Sequence, residues 1–327
     1  MAQGGFISAG IIVSIVNATI RGATPITLGA LSGIASERSG IVNIGIEGMM
    51  LGGAFVAYVA NVNLSRPSTP EFLHATPVRL ALCIGAALLF GALLALLHAV
   101  LSIRYKVDQI ISGTVINIFA AGVTSFLFIS GLTMERFPVV IVNPVPQDWG
   151  WLFSLGEIIF NKGPITYLAF ILVFLMGFAL YKTTWGLRTR SVGENPRAAD
   201  TLGINVYRLQ YTNLAISGML AALGGAALII DGGNAFDRGI TNGRGFLALA
   251  VMIFGMWRPS RAMLGALLFG FAQALQTFFQ QQGLTNLIPS QFIGMLPYIL
   301  TIIVLAGVVG RARPPAHVGQ AYEVDSA

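Results

Sequence analysis

Residues 36–52 read Ser36-Glu-Arg-Ser-Gly-Ile-Val-Asn-Ile-Gly-Ile-Glu-Gly-Met-Met-Leu-Gly52, a polar, glycine-rich stretch that runs directly into an apolar segment. At membrane depth, irregular backbone is tolerated only where protein buries it or where it lines a water-filled cavity. The stretch therefore predicts a broken helix whose free backbone groups face a pathway rather than lipid. Glu47 within it is open to two readings: a contact for a passing solute, or a buried carboxylate neutralised by Arg38 or capped by backbone amides. Gly48 and Gly52 have the spacing that lets helices approach closely, as do Gly29 and Gly33.

Outward from this stretch the chain is dominated by apolar runs. A bilayer core needs about 20 mostly apolar residues per helix, and runs of that kind lie near 43–63, 78–103, 109–131, 164–182, 209–231, 262–281 and 291–310. Residues 243–257 are apolar but short, which suits a short or re-entrant span. Residues 6–35 are too long for one simple span and too short for two, with Arg21, Gly22 and Pro25 breaking the middle. The expected architecture is an all-α polytopic membrane protein of about nine transmembrane helices, eight to ten being compatible with the pattern. Composition agrees: 55% of the 327 residues are hydrophobic and only 10% charged, against roughly 25% charged in a soluble domain.

The net charge of +6 fits basic loops facing anionic lipid, not nucleic-acid binding. Arg104, Lys106, Lys182, Arg188, Arg190, Arg197, Arg208, Arg258, Arg261, Arg311 and Arg313 fall in loops and a tail on one side, and that side is expected to be cytoplasmic. Residues 132–163, with Pro138, Pro144, Pro146, Trp149 and Trp151, then lie outside at an interface. The tail from Arg311 has no apolar face and reads as disordered.

Several chemistries are excluded. No Gly-Lys dipeptide occurs, so the chain has no P-loop and cannot be its own ATPase by that route. His74, His98 and His317 are too dispersed for a metal site, and Cys83 stands alone, leaving no metal or cofactor expected on this chain. His98 reads as a helix-packing residue. No paired catalytic groups appear within the spans, so the chain is not expected to be an enzyme.

The polar groups inside apolar runs are the functional candidates. Asn17, Arg21 and Thr24 recur at helical spacing and share one face, either as a cavity lining or as a snorkelling arginine beside a helix break. Asn43 belongs to the broken stretch. Asn117, behind Asp108, Gln109, Ser112 and Thr114, is suited either to reading the edge of a polar solute or to an interhelical hydrogen bond. In the cytoplasmic segment 183–208, Asn195 is a candidate N-cap, Pro196 suits the first helical position, and Arg197–Leu202 form a short helix stopped by Gly203.

Two of these stretches, Ser36–Met50 and Val192-Gly-Glu-Asn-Pro-Arg-Ala-Ala-Asp-Thr-Leu-Gly-Ile204, together with Gly243-Arg-Gly-Phe-Leu-Ala-Leu-Ala-Val-Met-Ile-Phe-Gly255, carry a resemblance. The chain resembles, over roughly residues 15–310, the permease subunits of bacterial ABC importers of the ribose/branched-chain amino-acid type, especially the nucleoside-importer branch. The resemblance implies a single transmembrane permease domain over 1–313 and a multi-pass place in the bacterial inner membrane, while residues 314–327 lie beyond the match and read from their composition as a flexible cytoplasmic tail. It makes Gly193, Glu194, Asn195, Pro196, Arg197, Ala198 and Ala199 the helix that couples to a separate ATP-binding subunit, where ATP and Mg would be bound. It also implies a second, often non-identical permease and a substrate-binding lipoprotein. Asn17, Arg21, Asn43, Glu47 and Asn117 are then the expected solute pathway. Simple sugars are the alternative cargo, and an ion-coupled secondary transporter is the alternative mechanism.

Overall fold

The computed structural model describes residues 9–129, 134–137, 142–233, 235–282, 312–323 and isolated positions between 292 and 303. Eleven α-helices occur among them: α1 (Ala9–Glu37), α2 (Ile46–Leu64), α3 (Thr76–Ala99), α4 (Gln109–Leu127), α5 (Trp151–Ile159), α6 (Pro164–Lys182), α7 (Thr184–Glu194), α8 (Pro196–Thr201), α9 (Val206–Ala227), α10 (Arg244–Phe254) and α11 (Pro259–Gln281). There is no strand among the described residues. π-helical turns extend α3 to Arg104 and α9 to Gly233.

Among the described residues, six helices are long and apolar enough to cross a bilayer: Gly10–Glu37, Thr76–Arg104, Gln109–Leu127, Pro164–Lys182, Val206–Gly233 and Pro259–Gln281. The expected span at 291–310 lies mostly outside the described residues. Within the expected 6–35 segment the described residues differ from the sequence expectation, because α1 runs unbroken from Ala9 through Arg21, Gly22 and Pro25. Burial explains this: from Ala23 to Glu37 the helix is enclosed by its neighbours, and packing outweighs the loss of one backbone bond at proline. α10 is the expected short segment, only 11 residues long.

The bundle is apolar outside and tightly packed inside. Ile118, Phe126, Phe174 and Leu89 are exposed on α4, α6 and α3, as lipid-facing positions should be. α1 and α9 form the centre, joined by a Ser32–Ser217 hydroxyl contact of 2.9 Å, the kind of polar pair that links helices in lipid. Small residues set the closest crossings. Gly91 on α3 and Gly218 on α9 face each other backbone to backbone. Gly29 and Gly33 admit α10, where a Cβ would fall 2.7 Å from Ala248 Cβ and 2.6 Å from Met252 Sδ.

One end of the bundle collects the 38–45 stretch, the loops around 104–108 and 255–258, the α7–α8 segment and residues 312–323. The other end carries α5 and residue Glu135, which Asn61 grips through both its amide groups and Arg79 through its guanidinium.

Candidate functional site

The segment 38–45 climbs between helices as irregular backbone, and its polar groups are met by side chains from α3 and α4. Gln109 Oε1 accepts the Val42 N–H at 2.7 Å. His98 Nε2 donates to the Val42 carbonyl at 2.9 Å, which leaves Nδ1 to accept the Ser112 hydroxyl, also at 2.9 Å. Asn117 spans the restart of the helix, donating to the Ile44 carbonyl at 3.0 Å and accepting the Gly48 N–H at 2.7 Å. Asn43 is fully buried and donates to Ser217 Oγ at 3.0 Å. Glu47 accepts the N–H of Gly243 at 2.9 Å and of Gly245 at 2.6 Å, so backbone amides at the head of α10, not Arg38, hold this carboxylate. A helix N-terminus supplies both unpaired donors and a favourable dipole for that purpose.

Glu37 and Arg38 hold the turn between α10 and α11. Glu37 accepts the Trp257 indole N–H at 2.6 Å, and the Arg38 guanidinium donates to the carbonyls of Met256 and Trp257 at 3.3 and 3.2 Å. Met256 and Trp257 both sit at φ +53°, a region costly for residues with a side chain. The two charged residues thus pin a strained α10–α11 turn.

A cavity of about 890 Å³ lies along α1 from Gly10 to Pro25, an axial run of ~22 Å. Asn17 and Arg21 line it with Asp237, Arg244, Thr277 and Gln281. Of the five pathway residues expected from sequence, Asn17 and Arg21 reach this cavity; Asn43, Glu47 and Asn117 are not among the residues lining it and hold the helix break instead. Sequence reading missed Arg244 and Asp237. Arg244 lies inside the quoted Gly243–Gly255 motif, so its charge at the head of an apolar helix was the available signal. Arg244 ties back to the Ile240 and Thr241 carbonyls, while its Nε is buried without a hydrogen-bond partner. Lys162 contacts Asn17 at the rim. Burial, and then the like charge of Arg21, pulls its ammonium below the ordinary lysine range, with Glu157 opposing.

Between the cavity and the 255–258 turn, α1 and α10 are locked face to face through Gly29 and Gly33, with the Glu37–Trp257 bond at the turn itself. The lock is about 16 Å long, the rise of the 11 residues of α10.

The coupling candidates form a compact corner. Asn195 Oδ1 accepts the Ala198 N–H at 3.0 Å, Pro196 opens α8, and Gly203 ends the turn at φ +76°, as the sequence expects. Gly193, Pro196 and Ala199 are buried, whereas Glu194, Asn195, Arg197 and Ala198 are exposed. Gly193 packs directly on the Arg38 carbonyl, leaving no room for a side chain.

The family model described as branched-chain amino acid transport system / permease component matches residues 14–305. The chain belongs to this family. The permease is 41% identical over 312 residues to the guanosine ABC transporter permease protein NupQ of Bacillus subtilis (strain 168), covering 94% of this chain and 96% of that one. It is 40% identical to the nucleoside ABC transporter permease protein NupC of Lactococcus lactis subsp. cremoris (strain MG1363), covering 91% and 93%. A second guanosine ABC transporter permease protein of B. subtilis, NupP, is 28% identical over 78% of this permease and 71% of its own length. The permease is therefore a multi-pass membrane protein and a transport component.

Proposed function

We propose that this permease is the membrane-spanning subunit of an ATP-driven importer for nucleosides, working by alternating access. The observation that carries the cargo assignment is the polar cavity of Asn17, Arg21, Asp237 and Arg244 inside an otherwise apolar bundle. It offers both donors and acceptors, as a neutral solute rich in hydroxyl and ring nitrogen groups requires. Identity of about 40% to guanosine and nucleoside permeases over nearly the whole chain supports the same reading.

The reading extends to about nine spans with the α7–α8 end and the C-terminus in the cytoplasm, supported by the basic residues gathered there. Gly193–Ala199 press on a separate ATP-hydrolysing subunit, which binds ATP and Mg. Because Gly193 packs on Arg38, and Arg38 holds the α10–α11 turn, displacement of α8 bears on the lock between α1 and α10. Opening that lock would join the cavity to the cytoplasm. Unequal similarity to two B. subtilis guanosine permeases favours a pair of non-identical permeases, with a substrate-binding lipoprotein delivering the solute.

The test is co-purification of the tagged permease from its native membrane, followed by uptake in vesicles. Recovery of an ATP-hydrolysing subunit, a second permease and a lipoprotein, with ATP-dependent nucleoside uptake, is the expected result. Solute movement by the chain alone under an ion gradient would refute it.

A further inference from the structure

Residues 312–323 are expected from sequence to be a flexible tail, yet they are laid back across the coupling corner and fastened at five points. The His317 N–H donates to the Gly193 carbonyl at 2.9 Å, the Gly319 N–H to the Gly40 carbonyl at 3.0 Å, and the Ala316 N–H to Glu194 Oε2 at 3.2 Å. Tyr322 is buried with Val192, Ala199 and Val206, its ring 5.5 Å from that of Tyr207. Glu323 pairs with Lys106. One short segment therefore ties together the 38–40 stretch, the loop before α4, the α7–α8 corner and the start of α9.

Between this segment and the corner lies a groove of about 550 Å³. One wall is Glu194, Asn195, Pro196 and Arg197; the other runs from His317 to Glu323. Gln320 and Ala321 are exposed on the outer wall, as Asn195 and Arg197 are on the inner one. The groove carries carboxylates at Glu194 and Glu323 as well as the Arg197 guanidinium. An anionic lipid surface would be repelled by those acids, whereas a polar protein element bearing both signs of charge complements them. Leu202, 81% exposed just beyond α8, adds an apolar contact of the kind that protein interfaces cover.

We propose that the ATP-hydrolysing subunit docks on a composite surface, in which residues 315–323 form one wall of the groove and α8 the other. This rests on the coupling role assigned to Gly193–Ala199. A protruding element of the partner then touches α8 and the C-terminal segment together, and the Gly193 and Gly40 carbonyls pass its push to the 38–45 stretch.

A photo-reactive amino acid placed at Gln320, at Arg197 and, as a control, at Arg66 on the opposite end, tests this in the intact transporter complex. Adducts with the ATP-hydrolysing subunit from positions 320 and 197, and none from 66, are expected. Capture from 197 without capture from 320 overturns the composite surface and leaves the coupling role standing. No capture from either, with the subunit still co-purifying, overturns both. Separately, Lys106→Glu and Glu323→Lys should each weaken retention of the subunit a few-fold, the scale of an exposed ion pair, and combining them should restore it. Equal retention in all three variants would contradict the proposal.

Discussion

Glu47 Oε2 accepts the Gly245 backbone N–H at 2.6 Å, so a carboxylate on α2 caps the first turn of α10, nearly two hundred residues later in the chain. The contact is close on both sides: a Cβ on Gly245 would stand 2.5 Å from Glu47 Cα. A hydrogen bond to a charged group contributes about 1.5–3 kcal/mol. Glu47→Gln keeps one acceptor but turns an amide N–H towards a backbone N–H, so it should lose about one such bond. Gly245→Ala should separate the helices outright. Both variants are expected to lower the thermal midpoint of the detergent-solubilised protein. A Glu47→Gln protein with an unchanged midpoint and altered solute preference would instead make Glu47 a solute contact.

Asn117 makes the analogous clamp at the helix break. Asn117→Ala orphans the Gly48 N–H and the Ile44 carbonyl, each costing about 1–3 kcal/mol when buried. Reduced yield and stability, with unchanged relative rates for different nucleosides among the molecules that fold, is the expected outcome. Competition uptake assays at matched protein level decide it.

The contrast between these residues and Asn195 shows what a sequence discloses here. The cap of Asn195, the Pro196 start and the Gly203 stop are local, each needing only neighbours within a turn. A polar residue in an apolar run announces only that it has a partner, and whether that partner is a solute or the chain's own backbone depends on distant elements. Asn43, Glu47 and Asn117 found backbone or side chains, whereas Asn17 and Arg21 found a cavity. The small-residue spacing of Gly29 and Gly33 pointed to a close helix contact without naming α10. The docking of residues 312–323 was illegible because most of its anchors are backbone groups, which every residue type carries.

That docking should respond to pH. Burial, and then the nearby Arg197 guanidinium, holds the His317 imidazole below its ordinary 6.5. The docked segment therefore favours neutral His317, and docking weakens as pH falls below 6.5 towards the lowered value. Glu323, held below the ordinary carboxylate range by Lys106, adds its contribution above 4.5 and loses it as pH falls further. Both act in one direction. Hydrogen-exchange protection of residues 315–323, corrected for intrinsic rates, should fall from pH 7.5 to 5.5, and His317→Gln should flatten the response in that window. An exchange rate that, after intrinsic correction, does not depend on pH would show that His317 does not control docking.

Coupling and solute contact should separate cleanly by mutation. Glu194→Ala combined with Arg197→Ala leaves the buried Gly193, Pro196 and Ala199 in place, so membrane insertion and docking of the binding lipoprotein should persist while ATP-driven uptake is lost. Unchanged uptake in a well-expressed variant would remove the corner from the mechanism.

The cavity predicts the opposite pattern. Arg21 sits four residues before Pro25, which has no N–H to offer the Arg21 carbonyl, so both the backbone and the side chain at this level are available to a solute. Across the cavity, the Arg244 guanidinium lines the wall, held in place by the Ile240 and Thr241 carbonyls. Arg21→Gln and Arg244→Gln should each cut uptake roughly tenfold or more, the rate equivalent of about 1.4 kcal/mol, while the ATP-hydrolysing subunit remains bound and its basal hydrolysis continues. Arg244→Lys keeps the charge but not the planar donor array, so it should recover only part of the loss. If all three variants transport at the native rate, the solute takes another route through the bundle, and the pathway must be sought on a different face of α1.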